Sequence, residues 1–385
     1  MSERNPVRVL AGHSTIGRLS RRTVLAGMGT AGLSLLASCG QRGMAESPAP
    51  DGQLESRLNV YSWGDYDPPE LLEAWSADND VRLQVDAFGS NEEMMAKLAA
   101  SRGTSGYDIV VPTGIYIPTM VEHGLLQRLD HSLLPNLATM DPAFMDQTFD
   151  PGNVHSVCKA WGTTGFVYDA HRISGDPTSW QDFIDLAVGE ASGATMLLED
   201  AWEVCSIALA ALGHDLNTVE PAELDEAAEI VVDQLAPHVR AYMGNANTAM
   251  AQGSFALMQA FNGDARQGML EADDPERWRF VFPTPSANLW MDTWCIATGA
   301  QHPDAAHAFI DWIIGPEQAL AETDYIGYST GSTAFAEPGI EDGFELAEII
   351  FPEQHVLDRL VASEMNEGMQ RRVEILTDAQ TRSGA

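Results

Sequence analysis

Carboxylates and aromatic rings recur together in this chain where apolar runs end. Trp63, Asp65 and Tyr66 close the apolar stretch that opens N-V-Y-S-W-G-D-Y-D-P. Thr113 and Tyr116 follow the run 107–112, Asp200 and Glu203 follow 194–198, Phe261 and Asp264 follow 256–260, and Trp290 and Asp292 begin 290–297. The turn after Trp63 needs Gly64, Asp65 and Pro68, but it has no use for two large rings. Trp63 and Tyr66 are therefore either core side chains or the wall of a pocket. Acids lined by aromatics suit an organic polycation. Each carboxylate gives an ammonium a charge-assisted hydrogen bond. Ring faces attract cationic heads by about 0.5–2 kcal/mol each, and they cover the methylenes between heads, at about 0.8 kcal/mol per CH₂. Asp200 and Glu203, three apart where a helix begins, can face one side. The helix dipole there favours the acids and opposes a bare cation, so the carboxylates must outweigh it at contact range. Taken singly, Asp200 and Asp264 could equally be helix caps, and Phe261 and Trp290 ordinary core residues. Matching chemistry at five strand ends favours a site.

Positioning such residues takes alternating strands and helices. The pattern reads strand 58–63, helix 69–77, strand 81–88, a helix from 94 to 100 opened by a Ser90/Glu93 capping box, strand 107–112 and helix 118–122. From about residue 161 it restarts: strand 165–168, helix 178–188, strand 194–198, helix 201–212, periodic helix 221–235, strand 256–260, helix 262–271, strand 278–283, then a strand 290–297 that returns to the first unit. Helices at 303–314 and 317–323 and a largely helical tail, 343–378, complete the chain. This order predicts an α/β fold with two lobes, one built from 57–162 and 288–334, the other from 163–287 and 335–385. In open α/β sheets ligands sit beyond the carboxyl ends of strands, where these acids and rings lie. A phosphate site would need a Gly-rich loop and basic residues there.

The first 38 residues read as an address. S-R-R-T-V-L-A carries a twin arginine before a short apolar run, and L-A-S-C-G places Cys39 after small residues. This predicts twin-arginine export, cleavage before Cys39 and lipid on that cysteine, with 39–56 as a flexible tether. The formal charge is −35, and the leader carries +4, leaving −39 on the mature chain. With only Lys97 and Lys159 as lysines, nucleic acid is excluded as a partner. Most of the acidity reads as a salt-adapted surface, so charge alone says little about a ligand. Cys158, Cys205 and Cys295 sit in apolar runs as small hydrophobes, with one disulfide among them conceivable and no zinc spacing. No cofactor is expected.

The chain resembles the polyamine-binding (spermidine/putrescine) substrate-binding components of ABC transporters, from about residue 57 to 380. The motifs are Y-S-W-G-D-Y-D-P-P, S-N-E-E-M-M-A-K-L, Y-D-I-V-V-P-T, W-G-T-T-G, L-L-E-D-A-W-E-V, W-M-D-T and G-Y-S-T. The resemblance implies a two-lobed type II periplasmic-binding fold that clamps a polyamine, a permease as partner and a monomeric protein. It implies Trp63 and Tyr66 as an aromatic wall with Asp65 near one ammonium, Glu203 and Asp200 binding from the second lobe, and Asp292 beside Trp290 on the opposite side. Asp264 matches an acid of the putrescine-preferring branch, and Tyr328 and Gln370 match later pocket positions. Phe261 stands where a Trp is frequent, Ile115 where an aromatic is frequent, and Gly64 where a Ser or Thr is frequent. These departures bear on ligand length more than on ligand class.

Rival readings have less behind them. A ferric site of this type uses paired tyrosines, an amino-acid site needs an arginine, and the strand ends supply neither. Asp200/Glu203 or Asp264/Asp292 could be an acid/base pair for glycoside hydrolysis, but the histidines are scattered and no nucleophile–base pair accompanies them. Another organic cation, or presentation of the ligand to a receptor, remains compatible with the same residues.

Overall fold

The computed structural model describes residues 9–10, 47–244, 246–336 and 339–384. Cys39 and the twin arginine lie outside the described residues. A two-residue strand, β1 (Val9–Leu10), lies parallel to Val85 and Asp86 at one sheet edge, within the segment read as leader.

Among the described residues, eleven strands form one continuous, mixed sheet. In the first lobe β2 (Arg57–Trp63) lies between β3 (Arg82–Phe88) and β4 (Ile109–Val110), all parallel. In the second, β6 (Thr195–Leu197) lies between β7 (Val239–Tyr242) and β8 (Leu257–Phe261), also parallel. Two long strands join the lobes. β5 (Ser156–Asp169) is buried along its whole length, pairs with β10 (Ala287–Ile296) as far as Thr163, and from Thr164 pairs with β8 instead. β9 (Trp278–Val281) covers the other edge of β5, and β11 (Leu360–Ala362) pairs with the start of β10. Each lobe has its own apolar core, one around Trp75, Trp294 and Phe309, the other around Trp180, Phe183 and Ile207.

The differences from the sequence reading have local causes. β4 keeps only two ladder residues, although Asp108 and Val111 at its flanks also donate backbone bonds to β2. Ser90 caps helix Asn91–Ser101, accepting from the Glu93 N–H at 3.1 Å, but the Glu93 carboxylate turns back to the Gly89 N–H at 2.9 Å and leaves the box half-made. The helix from Pro221 is α-helical to Ala228, then π-helical over Glu229–Leu235. The tail is not largely helical: it is broken into Ala347–Ile350 and Gln354–Leu357, crosses β11, and becomes a long helix only at Met369–Ser383. Part of the expected tether is tied down. Asp51 and Gly52 N–H groups bond Asp304 at 2.8 and 2.9 Å, and Glu55 accepts from the Ala305 N–H at 2.8 Å, so this stretch caps helix Pro303–Ile313. Cys158, Cys205 and Cys295 are separate buried thiols. No helix among the described residues is long and apolar enough to cross a membrane.

Candidate ligand-binding cleft

β10 organises the site. Asn288, Trp290 and Asp292 alternate along it and so share one face, with the outer two about 13 Å apart at about 3.3 Å per residue. The register slips between Asp292 and Thr293, and this bulge aims Asp292 at the first lobe. There Thr113 donates its hydroxyl to Asp292 Oδ1 at 2.7 Å. Thr113 is itself held by Asn91, which donates to its hydroxyl at 3.1 Å and accepts its N–H at 3.0 Å. Asp292 is 7% exposed. Burial pushes its carboxyl up to about 6 against the hydrogen bond from Thr113. Tyr66 sits buried beside it, and burial followed by the Asp292 charge holds its phenol protonated, well above the ordinary tyrosine range.

An aromatic row leads from Tyr66 across the cleft. Tyr66 meets Tyr328 edge-on at 6.2 Å between ring centres, Tyr328 meets Trp290 at 4.8 Å, and Trp290 meets Phe261 at 5.7 Å. Tyr328 donates to Asp264 Oδ1 at 2.9 Å and accepts the Asp264 N–H at 3.2 Å. Asp264 is therefore fixed by a tyrosine and does not cap its helix, whose N-cap is Phe261. Burial pushes Asp264 up to about 6. Burial first, then the charges of Asp264 and Asp292, hold the Tyr328 phenol protonated, well above the ordinary tyrosine range.

The second acid pair lies at the Asn288 end. Glu203 Oε1 accepts from Asn288 Nδ2 at 2.6 Å and from the Thr164 hydroxyl at 2.8 Å, while its buried Oε2 has no hydrogen-bond partner among the described residues. Burial, then the neighbouring Asp200 charge, pushes Glu203 up to about 8. Asp200 is the N-cap of helix Ala201–Leu212, accepting from the Glu203 N–H at 2.9 Å, so the capping expectation holds for it. Its carboxyl is raised by the protein packed around it and by Glu92 of the first lobe, although the residue as a whole is exposed. Glu92 accepts from the Tyr116 hydroxyl at 2.7 Å.

The structure thus gathers Tyr66, Thr113, Phe261, Asp264, Trp290, Asp292 and Tyr328 around one end of β10, and Asp200 and Glu203 at the other. Trp63 is half-buried against Phe88, ring centres 4.5 Å apart, with its indole N–H unpartnered. Asp65 holds a left-handed φ of 55° at an exposed turn and has no hydrogen-bonded partner among the described residues. Gln370 is exposed near the start of helix Met369–Ser383, its amide 3.4 Å from Glu374. Met365 of the tail packs on the same apolar cluster, around Tyr61 and Phe88, that Trp63 packs on. Sequence reasoning also missed Lys159, Asp67 and Glu322. Lys159 Nζ is bonded to Asp67 at 2.9 Å and to Glu322, and it lies over the rings of Tyr66 at 4.6 Å and Trp294 at 4.3 Å. It fixes Tyr66 from behind. A lysine inside the apolar run V-C-K-A-W was the available signal. Among the described residues no group of three or more His, Cys, Asp or Glu is arranged to hold a metal ion.

Two carboxylate pairs separated by a tryptophan, with aromatic rings between, have the chemistry that suits a cationic chain. Residues 70–347 match the family described as bacterial extracellular solute-binding protein, and the chain belongs to that family. It is similar to the spermidine/putrescine-binding periplasmic protein of Escherichia coli, 33% identical over 297 residues that cover 76% of this chain and 81% of the relative. Among solved structures it is similar to the spermidine/putrescine ABC transporter substrate-binding protein PotD of Streptococcus pneumoniae, at TM-score 0.73 and 30% identity over 86% of this chain and all (100%) of that one. A PotD lipoprotein of Treponema pallidum aligns at TM-score 0.73 and 25% identity, over 85% of this chain and 100% of its own. The two-lobed α/β architecture is the one these relatives share.

Proposed function

We propose that this protein captures a linear polyamine, putrescine or spermidine, between its lobes and delivers it to an ABC permease. The observation that carries the reading is a cluster of acids with no basic ion-pair partner. Asp200, Glu203, Asp264 and Asp292 stand around one cleft, and among the described residues no lysine or arginine pairs with any of them. Such acids are costly to keep ionised unless a cation arrives. The Asp264/Asp292 pair around Tyr328 suits the two heads of a short diamine. A longer amine reaches past Trp290 to Glu203 and Asp200. Trp63, Tyr66 and Phe261 line the methylenes, Thr113 orients Asp292, and Asp65 adds a charge at the rim. Gln370, exposed at the start of helix Met369–Ser383, is the remaining contact of this reading.

The role is binding without catalysis. Carboxylates from both lobes are satisfied together only in the closed form, which the ligand therefore selects. Twin-arginine export and lipid on Cys39 place a monomer on the outer face of the cytoplasmic membrane, with lobes bounded near residues 162, 288 and 334. The relatives' names for their ligands and transport role support this reading. Deleting the gene should abolish uptake of labelled putrescine or spermidine by the host, and Cys39→Ser should release the protein from membranes. Unchanged uptake of both amines would refute the transport role.

A further inference from the structure

Helix Pro316–Ile326 belongs to the first lobe, packing on helices Pro69–Asn79 and Pro303–Ile313. Its C-terminal carbonyls carry the negative end of the helix dipole. They are met from the second lobe by Arg266, on helix Asn262–Leu270. The Arg266 residue is 2% exposed; its Nη1 donates to the Asp324 carbonyl at 3.3 Å, Nη2 lies 3.7 Å from the Asp324 carboxylate, and Nε donates to the Glu345 carbonyl at 2.8 Å. The chain then turns at Gly327, φ 74°, so close to Gly263 that a side-chain carbon on Gly327 would lie 3.3 Å from the Gly263 backbone. Tyr328 leaves this turn with its ring directly over Gly263, where a Cβ would lie 2.5 Å away, and bonds Asp264. Residues 263, 264 and 266 therefore all grip the segment 324–328 across the lobes.

We propose that Arg266 is a positioning residue for the amine site: by capping a first-lobe helix from the second lobe, it seats Tyr328 on Gly263 and Asp264 and ties closure of the lobes to assembly of that end of the cleft. A guanidinium suits this task, because its fork satisfies the carbonyls of Asp324 and Glu345 together. The inference rests on the reading of the cleft as an amine site.

The test is stopped-flow putrescine binding, read by tryptophan fluorescence, on the mature chain and its Arg266→Met, Arg266→Lys and Tyr328→Phe variants. Loss of the clasp should raise the dissociation rate about tenfold, the effect of one charged hydrogen bond, with the association rate little changed. Arg266→Lys should recover part of the loss. Arg266→Met combined with Tyr328→Phe should bind no worse than Tyr328→Phe alone, because the hydroxyl bond to Asp264 through which Arg266 acts is already gone. A folded Arg266→Met, or Arg266→Lys should the former not fold, with wild-type dissociation would overturn the proposal, as would fully additive losses. Wild-type protein that ignores every polyamine would instead refute the cleft reading. The clasp is then read from spin labels at Val121→Cys and Val188→Cys in a Cys39→Ser background, the other three thiols being buried. The inter-lobe distance must widen in Arg266→Met; an unchanged distance overturns the clasp.

Discussion

Asp292→Asn separates the charge of the site from its shape. Asparagine keeps an acceptor for the Thr113 hydroxyl, now 2.7 Å from the carboxylate, so the bulge on β10 should survive. What disappears is one charge-assisted hydrogen bond to an ammonium, worth about 1.5–3 kcal/mol, or roughly ten- to hundredfold in affinity. The pH profile carries a second signature. With its carboxyl at about 6, Asp292 is mostly protonated at pH 5 when unliganded, and binding must first remove that proton. One unit below the pKa costs about 1.4 kcal/mol, so this residue alone should weaken wild-type binding about tenfold between pH 7 and pH 5. Asp264, also near 6, should add a comparable loss. Titration calorimetry across pH 5–8 should therefore show Asp292→Asn binding weakly at pH 8 and losing about one decade less than wild type on acidification. A variant that binds as tightly as wild type at pH 8, or keeps the full wild-type pH slope, would remove Asp292 from the site.

Much of the cleft was legible because strand ends can be read from apolar runs, and the same two residue types recur at each. Trp290 and Asp292 share a face because strand side chains alternate, which is a local rule. What escaped the sequence depends on partners distant in the chain. Lys159 meets Asp67 from 92 residues away and Glu322 from 163, and nothing local announces either. Asn288 reaches Glu203 across 85 residues. Asp264 was read as a possible cap from its place near a helix start, yet the Tyr328 hydroxyl claims it. The break in the tail before Gln370, including β11, escaped because this stretch has no strong period to announce it. The π-helical stretch 229–235 has an ordinary helical pattern in sequence, and the last helix, Met369–Ser383, which packs against it, is more than 130 residues further on.

Three further outcomes follow from the geometry. Glu203, at about 8, is mostly protonated at pH 7 when unliganded, so amine binding there should release a proton; calorimetry in buffers of different ionisation enthalpy should detect it in wild type and not in Glu203→Gln. Because the unliganded Asp292 carboxyl lies near 6, above its ordinary 3.8, its contribution favours folding below about pH 4 and is lost as pH rises through 6, by on the order of 3 kcal/mol; Asp292→Asn should flatten the melting temperature of ligand-free protein across that window. Lys159→Met strands two buried carboxylates and should cost about 3–5 kcal/mol of stability, whereas adding Asp67→Asn and Glu322→Gln should recover most of it, as denaturant melts would show.

The central claim is that the acids of this cleft hold a linear polyamine. Its most direct test is titration calorimetry of the mature chain, stripped of carried-over ligand by unfolding and refolding, against putrescine, spermidine and spermine, with a monoamine of equal carbon number as control. Micromolar or tighter binding of at least one polyamine, with the monoamine far weaker, is the expected result. No heat and no shift in melting temperature with any of the three would contradict it, leaving a solute-binding fold whose acids serve some other cation.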